Sequence, residues 1–383
     1  MGSVLLTAEP FGFGPAAKIC TVARALLARP EIERVSVLGR GTVAELAELD
    51  QLPVIRYGLQ GSGRVLIEAL SSHDVVFSAM NFEVDLAVKH VGTPAIYLDT
   101  LFWLWEDDFW SEAAPTRYLC QNFPGVEQAI ERWDAPFKSR MEVIGPVVDL
   151  RGLSQDREDD ILLVSLGGFR SDFIHIGDNT DFPRAVLSRL LPAIRAHSKL
   201  PILVVSSAPV VASLAAQSWT VEDLRFTTLA QPRYLEQLAR CKALFTTCGI
   251  EGAYEAFAYD TPVFFLPAVQ HSHFHQHRIL REAGAAAHGY EWRELLERGL
   301  EGLEPNPRAQ VEHVLRVARA EGGTEAFAEG LRSAVSGFFT ALLDPTPQLA
   351  AQAQFFASLG SDGVETCVAR ILAQVASGGA PRE

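Results

Sequence analysis

The strongest constraint on the fold is the alternation of short apolar runs with amphipathic stretches of helical length along most of the chain. Short apolar runs bounded by turn residues are typical of buried parallel strands, and the intervening stretches have the length of crossover helices. The predicted strands are residues 4–8, 34–38, 75–78, 95–98, 118–120 and 142–144 in the first half, and 161–165, 202–206, 225–228, 243–246 and 263–266 in the second. The pattern therefore predicts an α/β protein with doubly wound parallel sheets.

The strand pattern starts twice, which predicts two Rossmann-like domains. A chain of 383 residues also exceeds the size at which a single core usually stops growing. Residues 151–160 are polar and charged without periodicity, so we interpret them as a linker between domains at residues 1–150 and 161–345. Residues 346–383 read as C-terminal helices and a tail. Two such domains are expected to face each other across a cleft, where the carboxyl ends of strands bind ligands.

Composition excludes several classes of partner. The chain carries 33 Lys and Arg against 47 Asp and Glu, a net charge of −14, which repels a nucleic acid polymer. Its apolar runs are too short to cross a bilayer, so no membrane association is expected. The five cysteines are scattered without a C-x-x-C pair, which favours buried thiols in a reducing cytoplasm. The sequence leaves open whether the chain acts alone or as a homodimer.

The most informative segment is residues 243–287, which reads as a strand, a turn at Gly249, a helix from about Glu251, a second strand and a polar loop. A glycine just before a helix lets a phosphate approach the backbone N–H groups, where the helix dipole favours negative charge. About one turn later, the carboxylate of Glu255 can accept hydrogen bonds from a ribose diol. Gln276 can bond sugar hydroxyls from the following loop. The segment therefore offers groups that suit a phosphate, a ribose diol and sugar hydroxyls.

This segment resembles the donor-binding signature of GT-B glycosyltransferases, both the plant and antibiotic-pathway enzymes and the bacterial cell-wall N-acetylglucosaminyl transferase. The matching positions are Gly249, Glu255, Pro262, Pro267, Gln276, Ala283 and Gly284. The resemblance implies that the turn holds the donor diphosphate, Glu255 the ribose and Gln276 the sugar. The donor residues it implies here are Gly249, Ile250, Glu251, Gly252, Glu255, His271 and Gln276. Thr247, Gly252 and His275 depart from the plant pattern, which has His, Ser and an acidic residue there.

A second loop follows the first strand of the second half. In the same families a Gly/Ser-rich loop at this place contacts the donor diphosphate and base, which implies donor roles for Gly168, Phe169 and Arg170. The guanidinium of Arg170 could neutralise a phosphate or a sugar carboxylate. The implied co-substrate is a UDP-sugar, with no further cofactor. Because neither loop carries a D-x-D run, we expect no metal ion.

The general base of an inverting transfer is not obvious. Many related enzymes carry a His just before the first helix, where this chain has Pro15. Glu9 and Asp99, at the carboxyl ends of two predicted strands, are the candidate catalytic carboxylates, since burial can raise a carboxylate pKa toward the working pH.

The acceptor is expected to be a small molecule held near the same strand ends. Candidate acceptor residues are Gly14, Lys18 and Trp103, the last within an aromatic run that also contains Phe102, Trp105, Phe109 and Trp110. Residues 12–18 and 97–105 faintly resemble enzymes of nucleoside-antibiotic biosynthesis that transfer a glucuronyl group to a free pyrimidine base, the cytosylglucuronate synthase type.

Four alternatives remain open at this stage. Gly12, Gly14 and Ala17 fit G-x-G-x-x-A, and Arg40 would tolerate the 2′-phosphate of an NADP-dependent oxidoreductase. A nucleotide-sugar epimerase shares the fold and the donor site. Alternating His271, His273, His275 and His277 suit a metal site, pairing at i and i+4 on a helix. A catalytically inactive scaffold is the fourth alternative.

Overall fold

The computed structural model describes residues 1–58, 63–105, 116–150, 160–167, 169, 181–300 and 307–378. The chain forms two compact units. Unit 1 comprises Met1–Asp149 and Leu359–Glu383, and unit 2 comprises Leu150–Ser358. Each unit contains one parallel sheet with helices on its faces, which confirms the predicted α/β class with doubly wound sheets and C-terminal helices.

The sheet of unit 1 has the strand order β3-β2-β1-β4-β5-β6-β7, and all of its pairings are parallel. Its strands are β1 (Gly2–Ala8), β2 (Ile32–Gly39), β3 (Val54–Arg56), β4 (Val75–Ala79), β5 (Ala95–Asp99), β6 (Arg117–Gln121) and β7 (Met141–Ile144). All six strands predicted for this half are present. Only β3 was missed, because three residues at a sheet edge are too few to show a periodicity.

The core of unit 1 lies on both faces of its sheet, as the side chains of β1 show. Val4 and Leu6 pack into one hydrophobic cluster and Leu5 into another, as the alternation of side chains along a strand requires. The helices that follow these strands are α1 (Gly14–Leu27), α2 (Gly41–Leu49), α3 (Gly63–Ser71), α4 (Phe82–Val91), α5 (Val126–Glu131) and α6 (Ala135–Lys138), with a 3-10 turn at Phe102–Leu104.

The last helix of the chain, α16 (Gly363–Gly378), also belongs to unit 1. Its residues Cys367, Val368 and Ile371 are buried in the same cluster as Val4. The preceding helix, α15 (Thr346–Ser358), packs in unit 2. Between them Gly360 has φ +86, a conformation that favours glycine and ends the helical pattern. The structure therefore separates these two helices, which the sequence pattern grouped together.

The sheet of unit 2 has the order β10-β9-β8-β11-β12, again with parallel pairings. Its strands, all predicted from the sequence, are β8 (Leu162–Ser165), β9 (Ile202–Val205), β10 (Leu224–Thr227), β11 (Ala243–Thr247) and β12 (Val263–Leu266). Its helices are α7 (Asp181–Arg195), α8 (Ala208–Ala215), α9 (Gln231–Arg240), α10 (Ile250–Ala258), α11 (His271–Glu282), α12 (Arg293–Arg298), α13 (Pro307–Glu321), α14 (Glu325–Ala341) and α15.

Each sheet has one point at which the direction of the strand order reverses. It lies between β1 and β4 in unit 1 and between β8 and β11 in unit 2. At such a point the chain leaves neighbouring strands in opposite directions, which opens a crevice at their carboxyl ends where α/β proteins bind ligands. Glu9 follows β1, and Cys248 and Gly249 follow β11, so the two crevices coincide with residues singled out in the sequence.

All five cysteines are buried and carry free thiols, in agreement with their predicted role as small apolar side chains. Within the described ranges, no helix combines the length and the apolar character that crossing a bilayer demands.

Candidate functional site

The turn from β11 into α10 forms the centre of the unit 2 crevice. Gly249 is the N-cap of α10, with φ −82 and ψ 141, and the helix begins at Ile250. A Cβ atom placed on Gly249 would lie 3.4 Å from Nε2 of His273. The absence of a side chain therefore leaves the backbone here open to a ligand. The first N–H groups of a helix have no acceptor within the helix, so this end attracts an anion.

Glu255 lies one and a half turns into α10 and is only 4% exposed. The Nε2 group of Gln231, the first residue of α9, donates to Glu255 Oε1 over 3.2 Å. The amide thus orients the carboxylate at the crevice. Burial, and then the charge of Glu255, raises the pKa of Tyr234 on α9, which places this phenol near the same carboxylate.

Gln231 was not singled out in the sequence. Its contact with Glu255 joins residues that are 24 positions apart, and it depends on α9 and α10 starting at the same edge of the sheet. The sequence does contain a signal for the start of α9, the Gln-Pro pair after β10, because proline is common in the first turn of a helix.

The first turns of α11 contribute buried polar side chains. His271 is 7% exposed and Gln276 is 2% exposed. Among the described residues, His271 Nδ1 and Gln276 Oε1 have no hydrogen-bond partner. Such a group costs about 1–3 kcal/mol when buried, and a ligand that bonds it would recover that cost. The prediction that Gln276 acts from a loop is wrong, since α11 begins at His271 and includes it.

His271 and His273 of α11 are neutral at physiological pH, because burial lowers the pKa of each imidazole. Burial lowers the pKa of His271 to about 4 and that of His273 to about 3, with a smaller effect from a neighbouring imidazole in each case. A neutral imidazole can donate or accept a hydrogen bond without adding charge. Within the described part of the chain, no three His, Cys, Asp or Glu side chains converge as a metal site would require.

The loop after β8 is described only in part. Phe169 has φ +44, and its ring is buried against Phe182 with centroids 5.1 Å apart. Its side chain therefore packs inside unit 2, and only its backbone remains for a donor contact. Gly168 and Arg170 lie outside the described residues, so their donor roles stay predictions.

In the unit 1 crevice, Glu9 follows β1 directly and is half-buried. Its backbone N–H donates to Ala79 O over 2.9 Å, which fixes it beside the end of β4. Asn81, after β4, donates through Nδ2 to Thr7 Oγ1 over 2.9 Å. Between Ala79 and Asn81, Met80 adopts φ +62, which is unusual for a side chain of this kind and marks a strained strand end.

Asp99 ends β5 and is fully buried. Burial raises its pKa to about 6, although the hydrogen bonds that it accepts act in the opposite direction. Tyr118 Oη donates to Oδ2 over 2.5 Å, Trp105 Nε1 donates to the same oxygen over 3.2 Å, and the Leu101 N–H donates to Oδ1 over 2.7 Å. Both carboxylate oxygens of Asp99 accept hydrogen bonds from neighbouring groups, and its catalytic role stays a prediction.

The predicted acceptor residues differ in their placement. Gly14 is the first residue of α1, next to the β1 crevice. Lys18 is 1% exposed, and its Nζ donates to Val147 O over 3.2 Å, so its ammonium is held inside unit 1. Trp103 is half-buried with its ring 4.7 Å from that of Phe123, and its buried indole N–H has no partner among the described residues. Phe109 and Trp110 lie outside those residues.

Arg40 is the residue that would bind the 2′-phosphate in an NADP-dependent enzyme, and its guanidinium already contacts Glu83 and Tyr57. Its Nη1 lies 2.7 Å from Glu83 Oε2, and its guanidinium lies over the Tyr57 ring, 5.1 Å from the centroid. A 2′-phosphate would have to displace the carboxylate of Glu83.

No protein-family model and no curated protein sequence matches the chain. Solved structures do match over almost the whole length. The spinosyn forosaminyltransferase SpnP superimposes with a TM-score of 0.57 at 12% identity, covering 98% of this chain and 99% of that one. The spinosyn rhamnosyltransferase SpnG, complexed with spinosyn aglycone, gives 0.55 at 12%, covering 97% and 100%. MurG of Acinetobacter baumannii gives 0.54 at 12%, covering 97% and 99%. The chain thus has the fold of GT-B glycosyltransferases, as predicted.

Proposed function

We propose that this protein is a glycosyltransferase that binds a nucleoside diphosphate sugar in the unit 2 crevice and transfers the sugar to a small-molecule acceptor. The observation that carries the proposal is the set of buried polar groups there. His271 Nδ1 and Gln276 Oε1 lack partners in the described part of the chain, and His273 of the same helix adjoins the open backbone at Gly249. A polar ligand that bonds these atoms would offset the free-energy cost of burying them without hydrogen-bond partners.

The donor is proposed to be a UDP-sugar. Its diphosphate would lie against the N-terminus of α10 at Gly249, Ile250 and Gly252, where backbone N–H groups and the helix dipole favour negative charge. Its ribose hydroxyls would donate to Glu255, which Gln231 orients. His271 and Gln276 would bond the sugar, and the loop at Gly168, Phe169 and Arg170 would contact the diphosphate and base.

Glu251 needs a different assignment within this site. It is 8% exposed in the first turn of α10, and a carboxylate there would repel a diphosphate lying directly beside it. Carboxylates accept hydrogen bonds from hydroxyl groups, so we propose that Glu251 contacts the sugar. The positive end of the helix dipole stabilises its charge.

The reaction is proposed to be an inverting displacement. The acceptor nucleophile forms a bond to the anomeric carbon while the bond to the diphosphate breaks, and the diphosphate leaves with the electron pair. Glu9 accepts the proton of the nucleophile. We assign this role to Glu9 because it follows β1 directly and lies half-buried where the strand order of unit 1 reverses.

The acceptor is proposed to be a free pyrimidine base that receives a glucuronyl group, as in nucleoside-antibiotic biosynthesis. This rests on the faint resemblance of residues 12–18 and 97–105, with Gly14 and the indole N–H of Trp103 available for acceptor contacts. Lys18 is left out because its ammonium is held by Val147. The free buried thiols suit a reducing compartment, so we place the reaction in the cytoplasm.

No metal ion is required in this proposal, because the N-terminus of α10 can stabilise the leaving diphosphate. Turnover should therefore persist in EDTA. Activity that disappears with the chelator and returns with magnesium or manganese would contradict this part of the proposal.

The test of the function is acceptor-dependent release of UDP. The purified protein is incubated with UDP-glucose or UDP-glucuronate, with and without cytosine, and both UDP and the glycosylated base are quantified. We expect UDP release only when donor and acceptor are present together. Conversion of the donor without any acceptor would instead favour an epimerase. An absence of turnover across UDP-, dTDP- and GDP-sugars with a panel of acceptors would overturn the proposal.

A further inference from the structure

Two consecutive residues outside the proposed donor contacts hold Ala268, which follows β12 and precedes α11. The Ala268 N–H donates to Glu291 Oε1 over 2.9 Å, and the Trp292 indole Nε1 donates to Ala268 O over 2.7 Å. Glu291 Oε1 also accepts from the Trp292 N–H over 3.0 Å. Both backbone polar groups of one loop residue are therefore fixed by one dipeptide.

The same tryptophan reaches the loop on the other side of β11. Trp292 is fully buried, and its ring meets Phe182 edge-to-face with centroids 5.9 Å apart. Phe182 in turn stacks on Phe169, which follows β8. Because β8, β11 and β12 are neighbours in the sheet, Trp292 connects the loops that flank the Gly249 turn.

Glu291 also reaches α11 itself. Its Oε2 lies 3.5 Å from Nδ1 of His277, the residue after Gln276. A Cβ atom on Gly289 would lie 2.8 Å from Phe265 O and 2.9 Å from His277 Nε2, so only glycine fits there. The segment that carries Glu291 is therefore packed tightly between β12 and α11.

We propose that Glu291 and Trp292 are positioning residues for the donor site. They set the start of α11, and hence His271 and Gln276, relative to the loops after β8 and β11. The inference rests on the proposed function, and neither residue is required to touch the donor. A displacement of about 1 Å in the groups that orient a substrate is enough to slow its reaction. Because the Trp292 ring holds the loops after β8 and β12 in place, it controls the position of these groups.

The direct test is Trp292→Phe, which keeps an aromatic ring in the core but removes the N–H that holds Ala268. Trp219→Phe is the matched control, because the Trp219 indole donates to Leu214 O over 2.8 Å elsewhere in unit 2. The affinity for UDP-glucuronate is measured by calorimetry without acceptor, and KM for donor and for acceptor by turnover. We expect Trp292→Phe to weaken binding of the UDP-sugar and raise the donor KM about 10-fold, with the acceptor KM unchanged.

A second variant, Glu291→Ala, leaves the Trp292 ring in place. Its control is Glu321→Ala, since Glu321 accepts from the N–H groups of Arg293 and Glu294 over 2.9 and 2.8 Å without reaching Ala268. A donor affinity that falls equally in variants and controls would overturn the inference, as would an unchanged affinity in folded variants. Failure of the wild-type protein to bind UDP would instead contradict the proposed function, so the two failures are distinguishable.

Discussion

Glu9 and Asp99 are carboxylates at the ends of two strands of one sheet, and their surroundings assign them different roles. Glu9→Gln should lower kcat by about 10²–10⁴-fold, the usual contribution of a general base, while UDP affinity stays the same. Asp99→Asn should instead destabilise unit 1, because the amide nitrogen cannot accept the hydrogen bonds that one carboxylate oxygen accepts, and kcat should stay within a few-fold. Steady-state kinetics and thermal unfolding of both variants separate the roles. A Glu9→Gln enzyme with nearly wild-type kcat would remove Glu9 from the chemistry.

The lowered pKa of His271 predicts that the stability of unit 2 depends on pH. Its pKa is about 4 in the folded protein against an ordinary value of 6.5, so below pH 6.5 the unfolded chain binds a proton that the folded chain does not. Its contribution to stability is complete above pH 6.5 and is lost as the pH falls toward 4. The free energy of unfolding should therefore fall less between pH 7 and pH 4 in His271→Gln than in the wild type, by roughly 3 kcal/mol at most.

Asp99 has the opposite slope, because its raised pKa makes its contribution fall as the pH rises from 3.8 to about 6. This contribution is common to the wild-type protein and the His271 variant, so it cancels in their difference. Denaturant unfolding of unit 2 at several pH values between 4 and 7 provides the comparison. Identical pH profiles for the two proteins would show that His271 titrates normally.

At the level of a single helix, the N-terminus of α10 is predicted to bind the donor diphosphate, and Gly249→Ala tests this. Gly249 has an ordinary backbone conformation, and an added Cβ would touch only His273 Nε2 at 3.4 Å, so Gly249→Ala should fold almost normally. The methyl group would nevertheless occupy the approach to the helix N–H groups, and UDP affinity should fall about 10-fold or more, as expected for lost charge-assisted hydrogen bonds.

Gly337→Ala is the control for this substitution. Gly337 lies inside α14, where an added Cβ meets nothing within 4 Å, so alanine there should stabilise the helix by about 0.5–1 kcal/mol through its higher propensity. UDP affinity should not change in this variant. Equal UDP binding by wild type and Gly249→Ala would show that the diphosphate does not lie at this helix.

The elements that sequence reasoning could predict are those defined by local pattern. The Gly249 turn and the helix carrying Glu255 follow from a strand, a glycine and an amphipathic stretch within a few residues. The start of α11 could not be predicted in this way, because histidine occupies every second position of residues 271–277 and the segment shows no apolar helical period. The contact of Gln231 with Glu255 depends on which strands are neighbours, which a single sequence does not state.

At the scale of the whole molecule, the chain returns to its first unit after completing the second. The buried face of α16 includes Ile371, which lies in the cluster around Val4 and α1. Ile371→Ala should therefore destabilise unit 1 by about 2–5 kcal/mol, the usual range for such a truncation in a core. UDP binding in unit 2 should be unaffected. Leu343→Ala, at a leucine that is 88% exposed, is the control and should be nearly neutral.

Denaturant unfolding of Ile371→Ala, alongside calorimetry with UDP, checks this prediction. A variant as stable as the wild type would contradict the assignment of α16 to the core of unit 1. A loss of UDP affinity in a folded variant would contradict the placement of the donor site within unit 2 alone.

The most direct measurement of the central claim is the binding of UDP and UDP-sugars to the wild-type protein and to Glu255→Ala. Glu236→Ala serves as the control, since Glu236 pairs with Arg233 on a partly exposed face of α9. With ligand at 100–1,000 times its Kd, the wild-type protein should gain about 3–4 kcal/mol of stability. Glu255→Ala should lose about 1.5–3 kcal/mol of donor affinity while remaining folded, and Glu236→Ala should bind as the wild type does. If no nucleoside diphosphate or nucleotide sugar raises the unfolding temperature at millimolar concentration, unit 2 does not hold the proposed donor site.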